Sequence, residues 1–164
     1  MKRVFTYLFV ISLIFVNNIA IEEAYAKTGL KLPRFVSLSK GEVNVRNGPD
    51  KTHPIKWVMH RKRMPVEIIA EAKRWRMIRD IQGDEGWVHQ ALLSPRRSVI
   101  ITGETQVIYD RASKKSAPLA RIEVGAEASL NGCNKEFCKI TAEGIKGWVD
   151  RRRLWGIYPN EMND

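Results

Sequence analysis

The sequence predicts an all-β protein made of two small domains in tandem, and three observations lead to this prediction. The triplet Gly-Trp-Val occurs twice, at 86–88 and 147–149, and each copy closes a stretch of short apolar runs. Turn-forming residues separate these runs about every ten residues, which is typical of the short strands of a small barrel or sandwich. No run has a 3.6-residue apolar period long enough for a substantial helix. The chain of 164 residues is therefore expected to contain two copies of one β-domain.

The first 26 residues have the pattern of a secretory signal peptide. A positively charged start precedes an apolar run of 13 residues, 4–16, and Ala24-Tyr25-Ala26 supplies the small residues of a cleavage site. A membrane anchor is the alternative, but the run is shorter than the roughly 20 residues that span a bilayer. We expect cleavage after Ala26, an exported chain that begins at Lys27 without stable membrane insertion, and an N-terminal linker over 27–35.

The two predicted domains span residues 36–96 and 97–156. Both contain strand-like runs in the same order, and the run WRMI at Trp75 is followed 62 residues later by its counterpart FCKI at Phe137. Self-similarity at a fixed spacing indicates that one supersecondary unit is repeated. Residues 157–164 carry no strong pattern and are expected to form a C-terminal tail.

The two cysteines of the chain, Cys133 and Cys138, lie close together among turn-forming residues. In an oxidising compartment such a pair is expected to form a disulfide that clamps a hairpin, worth about 2 kcal/mol. A zinc site is the competing interpretation, but the pair gives two ligands only, and His53, His60 and His89 show no second ligand pair at the usual spacing. No metal and no cofactor are expected.

The charge of the chain is strongly positive. It has 28 Lys and Arg against 18 Asp and Glu, a net charge of +10 that the predicted mature chain keeps. Such a charge favours contact with polyanions, but export argues against nucleic acid as the physiological partner. Cell-wall polymers, anionic lipid headgroups and an acidic partner protein remain. The alternative is that much of the charge only solvates the surface.

The order of the motifs resembles the bacterial SH3-like domain, often called SH3b. GEVNVRNGP is followed by an apolar VEII strand, then W-x-x-I, a turn and GWV, and VNVRNGP is similar to the LNVRSGP opening of that family. The second repeat departs from the pattern at residues 109–112 and at Phe137, which replaces the tryptophan. The resemblance covers roughly residues 36–156. It implies two tandem SH3-like β-barrels of antiparallel strands, the second degenerate.

Side chains alternate between the two faces of a strand, which assigns directions to the repeated positions. Four apolar positions are predicted to face the two cores: Ile78, Val88, Ile140 and Val149. Trp75, Trp87 and Trp148 then point away from the cores, and we expect Trp75 to be exposed or half-exposed. Alternatively, Trp87 and Trp148 pack between the barrels or against the preceding loop. The glycine before each is expected at a tight turn or a close backbone approach.

The first barrel combines aromatic and basic residues that suit a ligand with sugar rings and carboxylates. Tryptophan faces bind sugar rings and aliphatic stems, and arginine binds carboxylates through two hydrogen bonds. Peptidoglycan offers both groups. The candidate ligand-binding residues are Arg46, Asn47, Arg61, Arg63, Trp75, Trp87 and His89. The alternatives are that RKRM is a solvated turn and that His89 is an ordinary surface histidine.

Catalysis has little support in the sequence. A cysteine hydrolase needs a free thiolate beside a histidine, whereas both cysteines are expected to be paired and the second repeat has no histidine. The acidic residues are scattered, which argues against a carboxylate pair for glycoside hydrolysis, and the two barrels leave no residues for a wall-hydrolase domain.

The sequence therefore predicts a non-enzymatic exported binding module in the periplasm, with release to the medium as the alternative. Its expected ligand is peptidoglycan or a peptide segment of a cell-envelope protein. The second hypothesis is a structural or adaptor protein whose basic surface docks an acidic envelope partner.

Overall fold

The computed structural model describes residues 28–162. The predicted signal peptide, with its cleavage after Ala26, lies outside the described residues. Fourteen strands form two antiparallel sheets of seven strands each, and two 3-10 helices of three residues complete the regular structure of the described range. The all-β prediction is confirmed. No helical segment within these residues has the length and apolar character that crossing a bilayer requires.

The two sheets repeat one topology. The first contains β1 (Arg34–Leu38), β2 (Val43–Arg46), β3 (Ile55–Met59), β4 (Pro65–Ala72), β5 (Trp75–Arg79), β6 (Glu85–His89) and β7 (Leu93–Ser94). The second contains β8 (Ser98–Ile101), β9 (Gln106–Tyr109), β10 (Pro118–Ile122), β11 (Glu127–Cys133), β12 (Phe137–Ala142), β13 (Ile145–Asp150) and β14 (Leu154–Trp155). The strand orders are β3-β2-β6-β5-β4-β1-β7 and β10-β9-β13-β12-β11-β8-β14, so each strand has its counterpart seven strands later. The 3-10 helices, Gln90–Leu92 and Arg151–Arg153, follow β6 and β13.

Each sheet closes around its own apolar core. Ile78 and Val88 are fully buried in the first core, together with Val45 and Val66. Ile140 and Val149 are fully buried in the second. The predicted core positions are confirmed, because strand alternation turns every second side chain of β5, β6, β12 and β13 inward.

The glycines of the two Gly-Trp-Val triplets are required by close packing. Gly86 lies inside β6, where an added Cβ would collide with the side chain of Val45 on β2. At Gly147 in β13, an added Cβ would lie 2.5 Å from the Cγ2 of Ile108 and 2.6 Å from the carbonyl oxygen of Tyr109. Neither glycine has a positive φ. Of the two expected roles, close backbone approach is the one found.

The β4–β5 and β11–β12 hairpins are closed differently at equivalent positions. Glu71 pairs with Arg76 across the first hairpin, and Cys133 pairs with Cys138 at the same place in the second. The Glu71 carboxylate is 3.0 Å from the Nε of Arg76 and also binds the guanidinium of Arg34. The cysteines form the predicted disulfide. One hairpin end is thus held by buried charges and the other by a covalent bond.

The two domains contact each other through an aromatic cluster. Phe35 of β1 lies 5.2 Å from the ring of Trp155 and 4.8 Å from the ring of Tyr158. The Tyr158 hydroxyl donates a hydrogen bond to Glu67 of the first domain at 2.8 Å. Burial and this hydrogen bond raise the pKa of Tyr158. Strand β1 begins at Arg34, within the segment predicted as a linker, and residues 157–162 after the last strand pack back onto the first domain.

Candidate functional site

The outer face of the first sheet carries a continuous row of aromatic and polar side chains. Trp75 of β5 pairs with His89 of β6, and Met77 pairs with Trp87. Trp87 also pairs with Arg46 of β2 on its other side. All five side chains lie on the face opposite the core, as strand alternation requires. Trp87 is half-buried, so part of its ring remains open to a ligand.

The prediction that Trp75 is exposed is wrong. Only 8% of its surface is accessible, although it lies outside the apolar core cluster. Its ring stands edge-on to that of His89, with 5.4 Å between the two ring centroids. Pro49 and Lys51 of the β2–β3 loop line one cavity together with Trp75, so this loop lies beside that end of the outer face. A side chain that points away from the core is therefore still buried.

The cavity over Trp75 has a volume of about 440 Å³ and a basic rim. Lys51, Lys73 and Arg74 line it, and within residues 28–162 none of the three has a carboxylate within 4 Å. Asp50 is the acidic residue of the rim; a hydrogen bond from the backbone of Thr52 lowers its pKa. The sequence pattern did not predict a role for these two lysines and Arg74, although both turns that carry them flank predicted strands.

The second domain has a cavity at the equivalent place, with different chemistry. It measures about 530 Å³, and Phe137 lies where Trp75 lies in the first domain. Asp150 replaces His89, since each pairs with the aromatic residue and caps the following 3-10 helix. Arg152, at 2.6 Å, and Lys114, at 3.3 Å, bind the Asp150 carboxylate. The Arg152 hydrogen bond, opposed by burial, holds the pKa of Asp150 well below its usual range.

These repeated sheets match a known family. The family model of the bacterial SH3 domain matches the chain twice, at residues 39–95 and 102–156, which together exceed half of its length. The chain belongs to the bacterial SH3 domain family. Bacterial SH3 domains are binding modules for peptidoglycan or proteins and are typically extracellular or associated with the cell wall.

Three solved structures match most of the chain at low identity. NlpC2 from Trichomonas vaginalis is 14% identical with a TM-score of 0.37, over 80% of this chain and 51% of that protein. NlpC1 from the same organism is 15% identical with a TM-score of 0.35, over 80% and 48%. An NlpC/P60 family protein from Bacillus cereus ATCC 10987 is 10% identical with a TM-score of 0.34, over 74% and 55%. The chain spans about half the length of these proteins. No curated protein matches it significantly.

Arg46 and Asn47 of the first SH3 domain lie beside the outer face. Arg46 donates a hydrogen bond from Nη1 to the carbonyl oxygen of His53 at 2.7 Å, which braces the β2–β3 loop. The backbone N–H of Asn47 bonds to the carbonyl oxygen of Pro54 at 3.1 Å, and its side chain is exposed. Arg46 therefore holds the loop that borders the cavity at Trp75, and Arg46 also lies next to Trp87.

The placement of Arg61 and Arg63 in the same site is wrong. Both belong to the β3–β4 connection, at the end of β4 opposite the turn that precedes Trp75. Arg61 contacts the second SH3 domain, where its Nε lies 3.5 Å from the carboxylate of Glu127. The chain path puts these two arginines at the domain junction, because the eight residues of β4 separate them from the aromatic cavity.

No metal site accompanies these cavities in the described part of the chain. Among residues 28–162, no three His, Cys, Asp or Glu side chains lie close enough together to hold a metal ion. The cavity residues instead offer hydrogen-bond donors, positive charge and aromatic surface, which suit noncovalent recognition of an anionic or sugar-bearing ligand.

Proposed function

We propose that the protein is an exported, non-enzymatic binding module whose first SH3 domain recognises peptidoglycan or a peptide segment of a cell-envelope protein. The observation that supports this is the outer face of β5 and β6. There Trp87 is half-buried between Arg46 and Met77, next to the cavity over Trp75. A half-buried tryptophan keeps apolar ring surface available for a sugar ring or an aliphatic stem.

The basic rim supplies the second part of the recognition. Lys51, Lys73 and Arg74 are exposed or line the cavity edge, and a ligand carboxylate that binds them breaks no ion pair within the described chain. Charged hydrogen bonds of this kind are stronger than neutral ones. Peptide stems of peptidoglycan carry free carboxylates beside sugar rings. Aromatic surface and unpaired cations therefore match the two chemical parts of this ligand.

Docking of an acidic envelope partner on the basic surface is the second candidate function. It is favoured by the cavity of the second domain, which Lys114, Lys115, Lys135 and Arg152 line, and by the net charge of +10. In this case the barrels act as scaffold and the tryptophans contribute little. The two functions differ in how strongly they depend on Trp87 and on salt.

Sedimentation with purified peptidoglycan tests the leading proposal. Replacing Trp87 by Ala is expected to weaken binding at least about tenfold, because central aromatic anchors dominate interface energies. The matched control is Trp148→Ala, which removes the half-buried tryptophan at the equivalent position of the second domain and is expected to change binding less than about twofold. Circular dichroism and thermal unfolding verify that both variants are folded.

Two outcomes would overturn the proposal. One is peptidoglycan binding that is unchanged by Trp87→Ala, and the other is an equal loss in both tryptophan variants. Binding that disappears at about 0.5 M salt and is insensitive to Trp87 supports the adaptor function instead, because exposed charges are screened within a few ångströms at such ionic strength.

A further inference from the structure

A third cavity lies where the two SH3 domains join. It has a volume of about 380 Å³. It is formed by the end of β1 with the residue after it, the β3–β4 connection, the segment from β7 to β8, and one residue of β11, Ser129. Ten residues line it, of which five are serines, four are Lys or Arg, and none is acidic. Both domains therefore contribute to a polar cavity with an excess of positive charge.

Three of its basic side chains are free to bind a ligand. Lys62, Arg63 and Arg96 are exposed, and within residues 28–162 they have no carboxylate within 4 Å. Arg97, the fourth, is neutralised by Glu161 at 2.6 Å. Glu127 does not line the cavity; it is paired with Arg61 and also interacts electrostatically with Arg63. The cavity thus carries three cations that form no ion pair within the described residues.

Serine hydroxyls hold the backbone that carries two of these side chains. The Ser98 hydroxyl of the second domain donates a hydrogen bond to the carbonyl oxygen of Arg63. The Ser37 hydroxyl of the first domain donates to the carbonyl oxygen of Arg96 at 2.7 Å. The hydroxyl of Ser129 makes no hydrogen bond within the described residues, so it remains available as a donor. The two guanidinium-bearing positions are therefore held in place before any ligand binds.

We propose that this junction cavity binds a phosphoryl group. Guanidinium forks bind phosphate oxygens through two parallel hydrogen bonds, and lysine adds a compact charge. Three cations favour a doubly charged oxyanion over a single carboxylate, because each additional ion pair lowers the energy of the bound anion. Residues of both domains surround the ligand, so a bound phosphoryl group bridges the first domain to the second.

Titration with inorganic phosphate and pyrophosphate tests this site. Isothermal calorimetry at constant ionic strength is expected to show saturable binding of one anion per chain, and a ligand that binds the folded state raises Tm. The double variant Arg63→Gln, Arg96→Gln is expected to lose at least about tenfold in affinity. The matched control Arg121→Gln, Lys146→Gln removes the same charge from exposed positions of the second domain and is expected to retain the affinity.

The possible outcomes distinguish a specific phosphate site from nonspecific electrostatic binding. Equal loss in both double variants, or no saturable binding, overturns the proposal. Acetate binding as tightly as phosphate also overturns it, because the site then does not prefer a doubly charged oxyanion over a single carboxylate. If Arg63→Gln, Arg96→Gln does not fold, Lys62→Gln, Arg96→Gln provides the same comparison. Trp87→Ala is expected to bind phosphate normally, so this result does not depend on the peptidoglycan proposal.

Discussion

The two SH3 domains share one topology but hold the same hairpin end in opposite ways. In the first, the carboxylate of Glu71 lies between the guanidiniums of Arg34 and Arg76, with 1% of its side chain exposed. In the second, Cys133 and Cys138 are joined at the equivalent cross-strand position. In both domains the same hairpin end thus carries a cross-strand link, which is a buried ion pair in the first domain and a covalent bond in the second.

The two domains also have a cavity at the same position, but different residues line it. His89 and Asp150 occupy equivalent places next to the buried aromatic residue, and both cap a 3-10 helix. Within residues 28–162 the cations of the first cavity form no ion pair, whereas in the second cavity Asp150 pairs with Arg152 and Lys114. Strand register thus places a cavity at the same position in both domains, while different lining residues give the two cavities different charges.

Removal of Glu71 should have the largest effect on this comparison. Glu71→Gln leaves two arginines without their shared counter-ion, and we expect the first domain to lose about 3–5 kcal/mol of folding free energy. Urea unfolding at pH 7 measures this loss. Glu85→Gln, which removes a partly exposed partner of Arg79, is the matched control and is expected to cost less than about 1 kcal/mol.

The pH dependence of the same variant provides a second test. Burial alone would raise the pKa of Glu71, but the hydrogen bond from Arg34 and the charges of Arg76 and Arg34 outweigh it and lower the pKa below its ordinary value of 4.5. Its stabilising contribution is therefore complete above that value and is lost as pH falls through the folded-state pKa. The stability gap between wild type and Glu71→Gln should narrow in acid. A gap that is independent of pH would contradict the role of the charged pair.

Removal of the disulfide should have a smaller effect. The double variant Cys133→Ala, Cys138→Ala is expected to destabilise the second domain by about 2 kcal/mol, because the loop it closes is short and no buried charge is left behind. Urea unfolding with and without reductant measures this. Reductant should lower the stability of the wild type and leave the variant unchanged. A loss of stability larger than that of Glu71→Gln would show that the disulfide contributes more than the buried ion pair.

Exchange of the cap residue should have the smallest effect on stability. Aspartate is a stronger cap than histidine, so His89→Asp is expected to stabilise the first domain by less than about 1 kcal/mol. It also places a carboxylate beside Lys73 and Arg74, which should weaken peptidoglycan binding a few-fold. Thermal unfolding and sedimentation measure the two effects. His89→Asn separates them, since it supplies a neutral cap and should lose less affinity than His89→Asp; equal losses would show that charge is not the cause.

The sequence predicted the site less completely than the fold. Trp87 and His89 do share one face with Arg46, because strand alternation is a local property. Trp75 is buried on the outer face, where the β2–β3 loop, more than twenty residues earlier in the chain, lines one cavity with it. The rim residues Lys73 and Arg74 had no distinctive pattern, since exposed lysines and arginines are common in a chain of net charge +10.

The sequence alone determined the two β-domains, the inward positions of Ile78 and Val88, and the disulfide. Strand period, turn residues and cysteine spacing depend only on residues that are close together in the chain. Tertiary structure alone decided that Arg61 and Arg63 lie at the domain junction and that Gly86 is needed for close strand approach. It also decided that Glu71 meets both Arg34 and Arg76. These features depend on contacts between segments that are far apart in the sequence, and only the tertiary packing decides which segments meet.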